Sequence, residues 1–155
     1  MPSGRTHLKI EMTVFAGCTV LGLYLVKLNF IAIVHLASFL GSYLFASLFL
    51  TPDLDLKQSI AFKRWGIARI LWLPYAHLFR HRALSHHILF GPLTRIVYAV
   101  LILSLVVSAL THMTSLRIQL HAPGWAVLVS IVAGVYLPNQ IHTLADILWS
   151  IKRRC

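Results

Sequence analysis

The sequence predicts an all-α membrane protein, a multi-pass helical bundle with about four transmembrane helices and a metal-site segment on the cytoplasmic side. Three observations lead to this fold class. Of the 155 residues, 58% are hydrophobic and only 12% are charged, which is far from the composition of a soluble domain. The mean hydropathy is strongly positive. At about 20 residues per span, the chain can form about four spans and little besides.

The apolar stretches define the expected spans of a single membrane domain over residues 1–155. They are residues 12–28, 30–50, 96–116 and 125–149. The first is short and ends at Lys27, whose ammonium must reach the interface. A signal peptide is the alternative interpretation of this stretch. We favour a retained helix, because no small-residue cleavage pattern follows Val26 and the second span begins almost at once.

The basic residues predict the orientation. Of the 14 Lys and Arg residues, all except Lys27 and Arg117 precede the first span, lie between the second and third, or follow the fourth. The positive-inside rule therefore places both termini and the central loop in the cytoplasm. These cations favour a bilayer with anionic headgroups, and without a recognisable motif they do not predict a nucleic-acid partner. The oligomeric state stays open.

Residues 51–95 form the predicted interfacial and metal-site segment. Pro52 should end the second helix and leave Asp53 and Asp55 in a turn or an extended run. A two-residue spacing does not share a helix face, so one carboxylate could ligate a metal while the other bridges a second metal or orients a histidine. A helix stop with solvated aspartates is the alternative.

Aromatic and cationic residues occur together from Arg64 to Tyr75, a mixture that suits the headgroup region. We expect an interfacial helix or a re-entrant segment here. Guanidinium groups match the geometry of phosphate, so Arg64, Arg69 and Arg82 are candidate ligands for the phosphate of a substrate.

Potential metal ligands are most closely spaced in a run of histidines. Four of them, His77, His81, His86 and His87, fall within eleven residues. Neutral imidazole is a common metal ligand, although a solvated basic loop is the alternative. His142 and Asp146 lie four residues apart on a predicted helix and so share one face. Cys18 and Cys155 suggest no thiolate cluster, so nitrogen and oxygen atoms would hold the metal.

The predicted topology brings these residues to one side of the membrane, with His7 in an amino-terminal tail. Three other histidines, His35, His112 and His121, are interpreted as core or interfacial residues. The candidate metal ligands are His7, Asp53, Asp55, His81, His86, His142 and Asp146.

The chain also resembles a known family. The resemblance rests on the opening Met1-Pro-Ser-Gly-Arg-Thr-His7, Pro52-Asp-Leu-Asp55, Leu71-Trp-Leu-Pro-Tyr75, His81-Arg-x-Leu-Ser-His86 and His142-x-x-x-Asp146. They are similar to a family of small integral membrane proteins of unknown function described as metal-binding. That family looks related to the YdjM-like membrane-bound, metal-dependent hydrolases. The resemblance implies the same seven metal ligands and a similar hydrolytic chemistry.

The functional hypothesis is metal-dependent hydrolysis at the cytoplasmic membrane surface. One or two divalent ions, zinc or alternatively manganese, would activate water. Asp53 or Asp146, whichever does not ligate the metal, would act as the catalytic base. The expected substrate is a lipid phosphoester, because the site borders the bilayer. The alternatives are a non-catalytic metal-binding membrane protein and an accessory subunit of a membrane complex.

Overall fold

The computed structural model describes residues 4–79, 87–114 and 122–152, and the regular structure in these ranges is helical throughout. This confirms the all-α prediction. In chain order the elements are α1 (Gly4–Lys27), α2 (Ile33–Phe49), a first 3-10 helix (Pro52–Asp55), α3 (Ile60–Arg64), a second 3-10 helix (Gly66–Trp72), α4 (Leu73–Leu78), α5 (Phe90–Thr114) and α6 (Trp125–Lys152).

Three of the described helices, α1, α5 and α6, are long and apolar enough to cross a membrane. Helix α2 is also apolar but has only 17 residues. At 1.5 Å per residue it is about 26 Å long, somewhat less than the hydrocarbon thickness of a bilayer. The four-span arrangement and its orientation therefore remain predictions.

Helix α1 begins well before the predicted span. The apolar stretch starts at Met12, whereas the helix starts at Gly4, so the placement of His7 in a tail was wrong. A hydropathy window rejects the polar first turns, but a helix forms wherever its backbone bonds close and one face packs. The helix ends at Lys27. Asn29 follows with φ of 59°, the left-handed conformation that asparagine tolerates after a helix.

Helix α2 lies between α1 and α6 and approaches both closely. A side chain at Gly134 of α6 would collide with Ser42 and with the Phe39 carbonyl of α2. A side chain at Gly22 of α1 would likewise collide with Leu36. Small residues permit such close crossings, which bring the polar positions of all three helices together.

Buried side chains concentrate at one end of the bundle. This end contains the start of α1, the end of α2, the start of α5 and the middle of α6. The short helices between α2 and α5 pack over it. The hydrophobic core here consists of Ala46, Leu50, Leu54, Phe62, Trp72, Tyr75, Ala76 and Val135. This end is therefore the compact part of the bundle, whereas apolar side chains elsewhere on α1 and α5 are largely exposed.

The predicted stop of the second helix is confirmed. Helix α2 ends at Phe49, Thr51 is extended with φ of −67° and ψ of 159°, and Pro52 opens the first 3-10 helix. The interfacial or re-entrant position expected for the aromatic segment that follows stays a prediction. Within it Trp72 and Tyr75 are buried in the core, where their rings meet edge to face.

Arg95 was expected in the central loop but lies inside α5, which begins at Phe90. Hydropathy excludes an arginine from a predicted span, but here its guanidinium is completely buried. It donates a hydrogen bond of 3.1 Å to the Leu50 carbonyl and another to the Asn139 side chain. These bonds join α5 to the end of α2 and to α6.

Candidate metal centre

Two helices each contribute a histidine and a carboxylate four residues apart. His7 and Glu11 share a face of α1, and His142 and Asp146 share a face of α6. The pairs interact across the helices. His7 Nε2 lies 3.1 Å from Asp146 Oδ1, and His142 Nδ1 lies 3.0 Å from Glu11 Oε1. Each imidazole therefore faces the carboxylate of the other helix.

The two imidazoles stack face to face. Their ring centroids are 3.8 Å apart and the planes differ by 11°. Stacking leaves the ring nitrogens at the edges, where the carboxylates lie. Ligand atoms of His7, His142 and Asp146 all fall within 4.8 Å of one another. The structure thus brings together three of the residues that the sequence proposed as metal ligands.

His7, Glu11, His142 and Asp146 together form a histidine–carboxylate group, and its buried atoms fit a cation. Within the described ranges, His7 Nδ1, Glu11 Oε2 and His142 Nε2 are buried without a hydrogen-bond partner. Buried polar atoms nearly always have partners, because leaving one unpaired is costly. A divalent cation would satisfy a carboxylate oxygen and an imidazole lone pair together. Imidazole nitrogen with carboxylate oxygen is a donor set that suits zinc and manganese.

Asp53 approaches the group from the first 3-10 helix. Its Oδ2 lies 3.7 Å from His142 Nε2, beyond hydrogen-bonding distance, and its side chain is 28% exposed where that of His142 is 3% exposed. Asp55, two residues later, is buried, and it interacts electrostatically with Arg95 more strongly than Asp53 does. The turn therefore gives the two aspartates different surroundings, as their spacing predicted.

A small cavity of about 30 Å³ lies within this group. Its size suits one water molecule or one ion. The polar residues that line it include His7, Glu11, Ser47, Asp53, Arg64 and His142.

Arg64 is the predicted phosphate ligand nearest the site. It lines the small cavity, and its Nη1 donates a 3.1 Å hydrogen bond to the Leu48 carbonyl. Arg69 is exposed on the second 3-10 helix and does not line that cavity. Three further predicted site residues, His81, Arg82 and His86, lie outside the described residues. The predictions for these three are therefore untested.

The last histidine of the dense run has a structural role. His87 Nδ1 accepts hydrogen bonds from the backbone N–H groups of Leu89 and Phe90, at 3.2 and 3.3 Å. It therefore satisfies free donors at the start of α5. Another member of the run, His77, belongs to α4 and is exposed.

Glu11 is the site residue that the sequence reasoning missed. Its spacing from His7 repeats the spacing of His142 and Asp146, and this repeat was the available signal. The predicted span began at Met12, which left Glu11 outside any helix. In the structure it is almost fully buried, and the Tyr43 hydroxyl donates a 2.9 Å hydrogen bond to its backbone carbonyl. Helices α1 and α2 are therefore joined directly at this residue.

Fold and site together define a helical protein with apolar, membrane-length helices and a buried histidine–carboxylate group able to hold a metal ion. The chain belongs to the family of uncharacterized metal-binding proteins designated DUF2227, whose model matches residues 2–155. The sequence-based expectation of a metal-binding family is thereby confirmed.

One curated relative is similar over part of its length. An uncharacterized protein of Aquifex aeolicus (strain VF5) is 39% identical over 56 residues, which are 36% of this chain and 40% of that protein. The matched part of the chain thus spans about two fifths of the relative's length. No solved structure matches this chain.

Proposed function

We propose that this protein is a multi-pass membrane protein that binds a divalent metal ion, which we take to be zinc, and hydrolyses a lipid phosphoester at the cytoplasmic membrane surface. The observation that carries the proposal is the crossed pairing of His7 with Asp146 and of His142 with Glu11, beside a less buried third carboxylate, Asp53. A metal centre needs the buried donors, and hydrolysis needs a base that solvent and substrate can reach.

The residues divide into two roles. His7, His142 and Asp146 would hold the ion, and Glu11 would accept the Nδ1–H of His142 and thereby present Nε2 as the ligand atom. A bound divalent ion supplies Lewis acidity and makes water a better nucleophile near neutral pH. Asp53, outside the group of three and partly exposed, would accept the proton of the attacking water.

Position and charge support a phosphoester of a lipid as the substrate. The site lies at the end of the bundle where α1, α5 and α6, the membrane-length helices, meet the short helices. A substrate drawn from the bilayer would therefore arrive at this end. Arg64, at the wall of the small cavity, places a positive charge near the site that suits a phosphate group.

The test is a turnover assay on the zinc-loaded protein in lipid nanodiscs, with a phosphatidic acid, a phospholipid diester and a lipid pyrophosphate as substrates. We expect turnover of at least one of them. Asp53→Asn should reduce it by at least about 100-fold, the usual effect of a general base, while the zinc content stays unchanged. A zinc-loaded protein that turns over none of the three lipids would overturn the proposed activity.

A structural metal site is the second candidate. His7, Glu11 and His142 are almost completely buried, and closed sites are typical of structural zinc. In that case zinc would raise the unfolding temperature without conferring turnover, and Asp53→Asn would change neither quantity.

A further inference from the structure

Asp53 lines two cavities. His7, Glu11 and His142 also line the small one, and the other is an open cavity of about 700 Å³. Gly4, Asp53 and Ile60 line both. The open cavity has the size of an ordinary small-molecule site. A molecule bound in it would meet the candidate metal centre at the Asp53 carboxylate.

The lining of the open cavity includes one cation and several polar side chains, besides the carboxylates of Asp53 and Asp55. Lys57, Gln58, Ser59 and His77 all contribute to it. Lys57 is exposed and forms no ion pair with the carboxylates of the described ranges. Its ammonium, the His77 imidazole and the Ser59 hydroxyl are therefore available as donors to an anion.

Apolar side chains complete the lining. Leu56 and Ile60 belong to the cavity, and both are exposed at its edge. A ligand with a charged head and an apolar tail would match this arrangement better than a fully polar ligand, because the exposed leucine and isoleucine gain burial on contact.

We propose that this open cavity binds the phosphate-bearing head of the substrate, with Lys57 and His77 as its donors. This inference rests on the proposed hydrolase function and assigns a substrate-binding role to two residues outside the metal centre. The same donors would recognise a free phosphate and the head of a lipid phosphoester. Leu56 and Ile60 add affinity only for the lipid.

The predicted arginines suit this task less well. Neither Arg64 nor Arg69 lines the open cavity, although Arg64 lines the small one. Asp53 and Asp55 both line the cavity and repel an anion. The phosphate would therefore sit toward Lys57 and His77, and its affinity should increase when a cation offsets the carboxylates.

The test measures binding by isothermal titration calorimetry on the full-length, detergent-purified protein, with and without added zinc. The ligands are dioctanoyl phosphatidic acid and inorganic phosphate. Lys57→Gln and His77→Gln should each weaken binding of phosphatidic acid by about three- to tenfold, as expected for one lost charge-assisted hydrogen bond at an open site. Lys63→Gln is the matched control, because Lys63 is exposed on α3 and outside the cavity lining.

The two ligands separate the two sources of phosphate. Tighter binding of phosphatidic acid than of inorganic phosphate, with both sensitive to Lys57, supports a lipid ligand. Equal affinities with the same sensitivity support a soluble phosphate. Absence of binding, or equal affinities of Lys57→Gln and Lys63→Gln, would overturn the assignment.

Zinc content measured on the same samples distinguishes this inference from the proposed function. If zinc is retained but phosphate binding is absent or insensitive to Lys57, only the assignment of the open cavity fails. If phosphate binding depends on Lys57 but no zinc is retained, the metal-dependent function fails and the cavity assignment stands.

Discussion

Glu11→Gln is the substitution that most specifically probes the crossed pairing. Glu11 is 2% exposed, and its Oε1 lies 3.0 Å from His142 Nδ1. Glutamine keeps the shape and an oxygen that can accept the imidazole N–H, but it removes the negative charge. A carboxylate that orients a histidine ligand typically contributes 10- to 100-fold in metal affinity. We therefore expect zinc affinity to fall by about 10- to 100-fold, or roughly 1.4–2.7 kcal/mol.

The same substitution should have a different effect on the metal-free protein. The buried Oε2 of Glu11 has no hydrogen-bond partner among the described residues, so a neutral isostere that keeps the bond to His142 Nδ1 should leave the unfolding temperature unchanged or higher. Loss of affinity without loss of stability separates a metal-site role from a packing role.

Zinc affinity would be measured by competition with a chromophoric chelator, and stability by thermal unfolding in detergent. Lys9→Gln is the control, because Lys9 is exposed on the same helix. A Glu11→Gln protein with zinc affinity within about twofold of the unmodified protein would refute the role of Glu11, since even a modest orienting contact costs more.

Two further predictions concern the scaffold that positions the site, and both are measured by thermal unfolding in detergent. Gly134→Ala should destabilise the protein by about 1–3 kcal/mol, because the added methyl group meets the Phe39 carbonyl. Gly17→Ala is the control, because a methyl group at Gly17 meets only open space. Equal unfolding temperatures of the two variants would contradict the close helix crossing. Arg95→Met should cost roughly 3 kcal/mol, because buried acceptors on α2 and α6 lose their donor. Arg69→Met is the control and should change the free energy of unfolding little, because Arg69 is exposed. Equal destabilisation by Arg69→Met and Arg95→Met would show that the burial of Arg95 is unimportant.

The features that could be predicted from the sequence depend on local rules. The helical class follows from composition, and the end of α2 follows from the restriction that Pro52 places on Thr51. The shared face of His142 and Asp146 follows from helix periodicity. Each of these depends on neighbouring residues only, so a single sequence contains enough information.

The features that could not be predicted depend on partners distant along the chain. His142 pairs with Glu11 across 131 positions, and Arg95 reaches the Leu50 carbonyl across 45. A hydropathy pattern places Glu11 and Arg95 outside the predicted spans, because both residues are charged. In the folded protein each is buried, because the close packing of α1 and α6 on α2 and the bonds from α5 supply its partners. Burial of a charge is decided by those partners, which a hydropathy pattern does not identify.

Zinc retention is the most direct test of the metal centre. Detergent-purified protein would be stripped with a chelator, resupplied with zinc, desalted and analysed by elemental mass spectrometry, beside His7→Ala, His142→Ala and the control His112→Ala. His112 is exposed at the end of α5 and away from the site. We predict about one equivalent in the unmodified protein and in His112→Ala, and less than about a tenth in the other two, because a zinc site rarely survives loss of a histidine ligand. Zinc retained equally by all four proteins, or by none of them, would contradict the assignment.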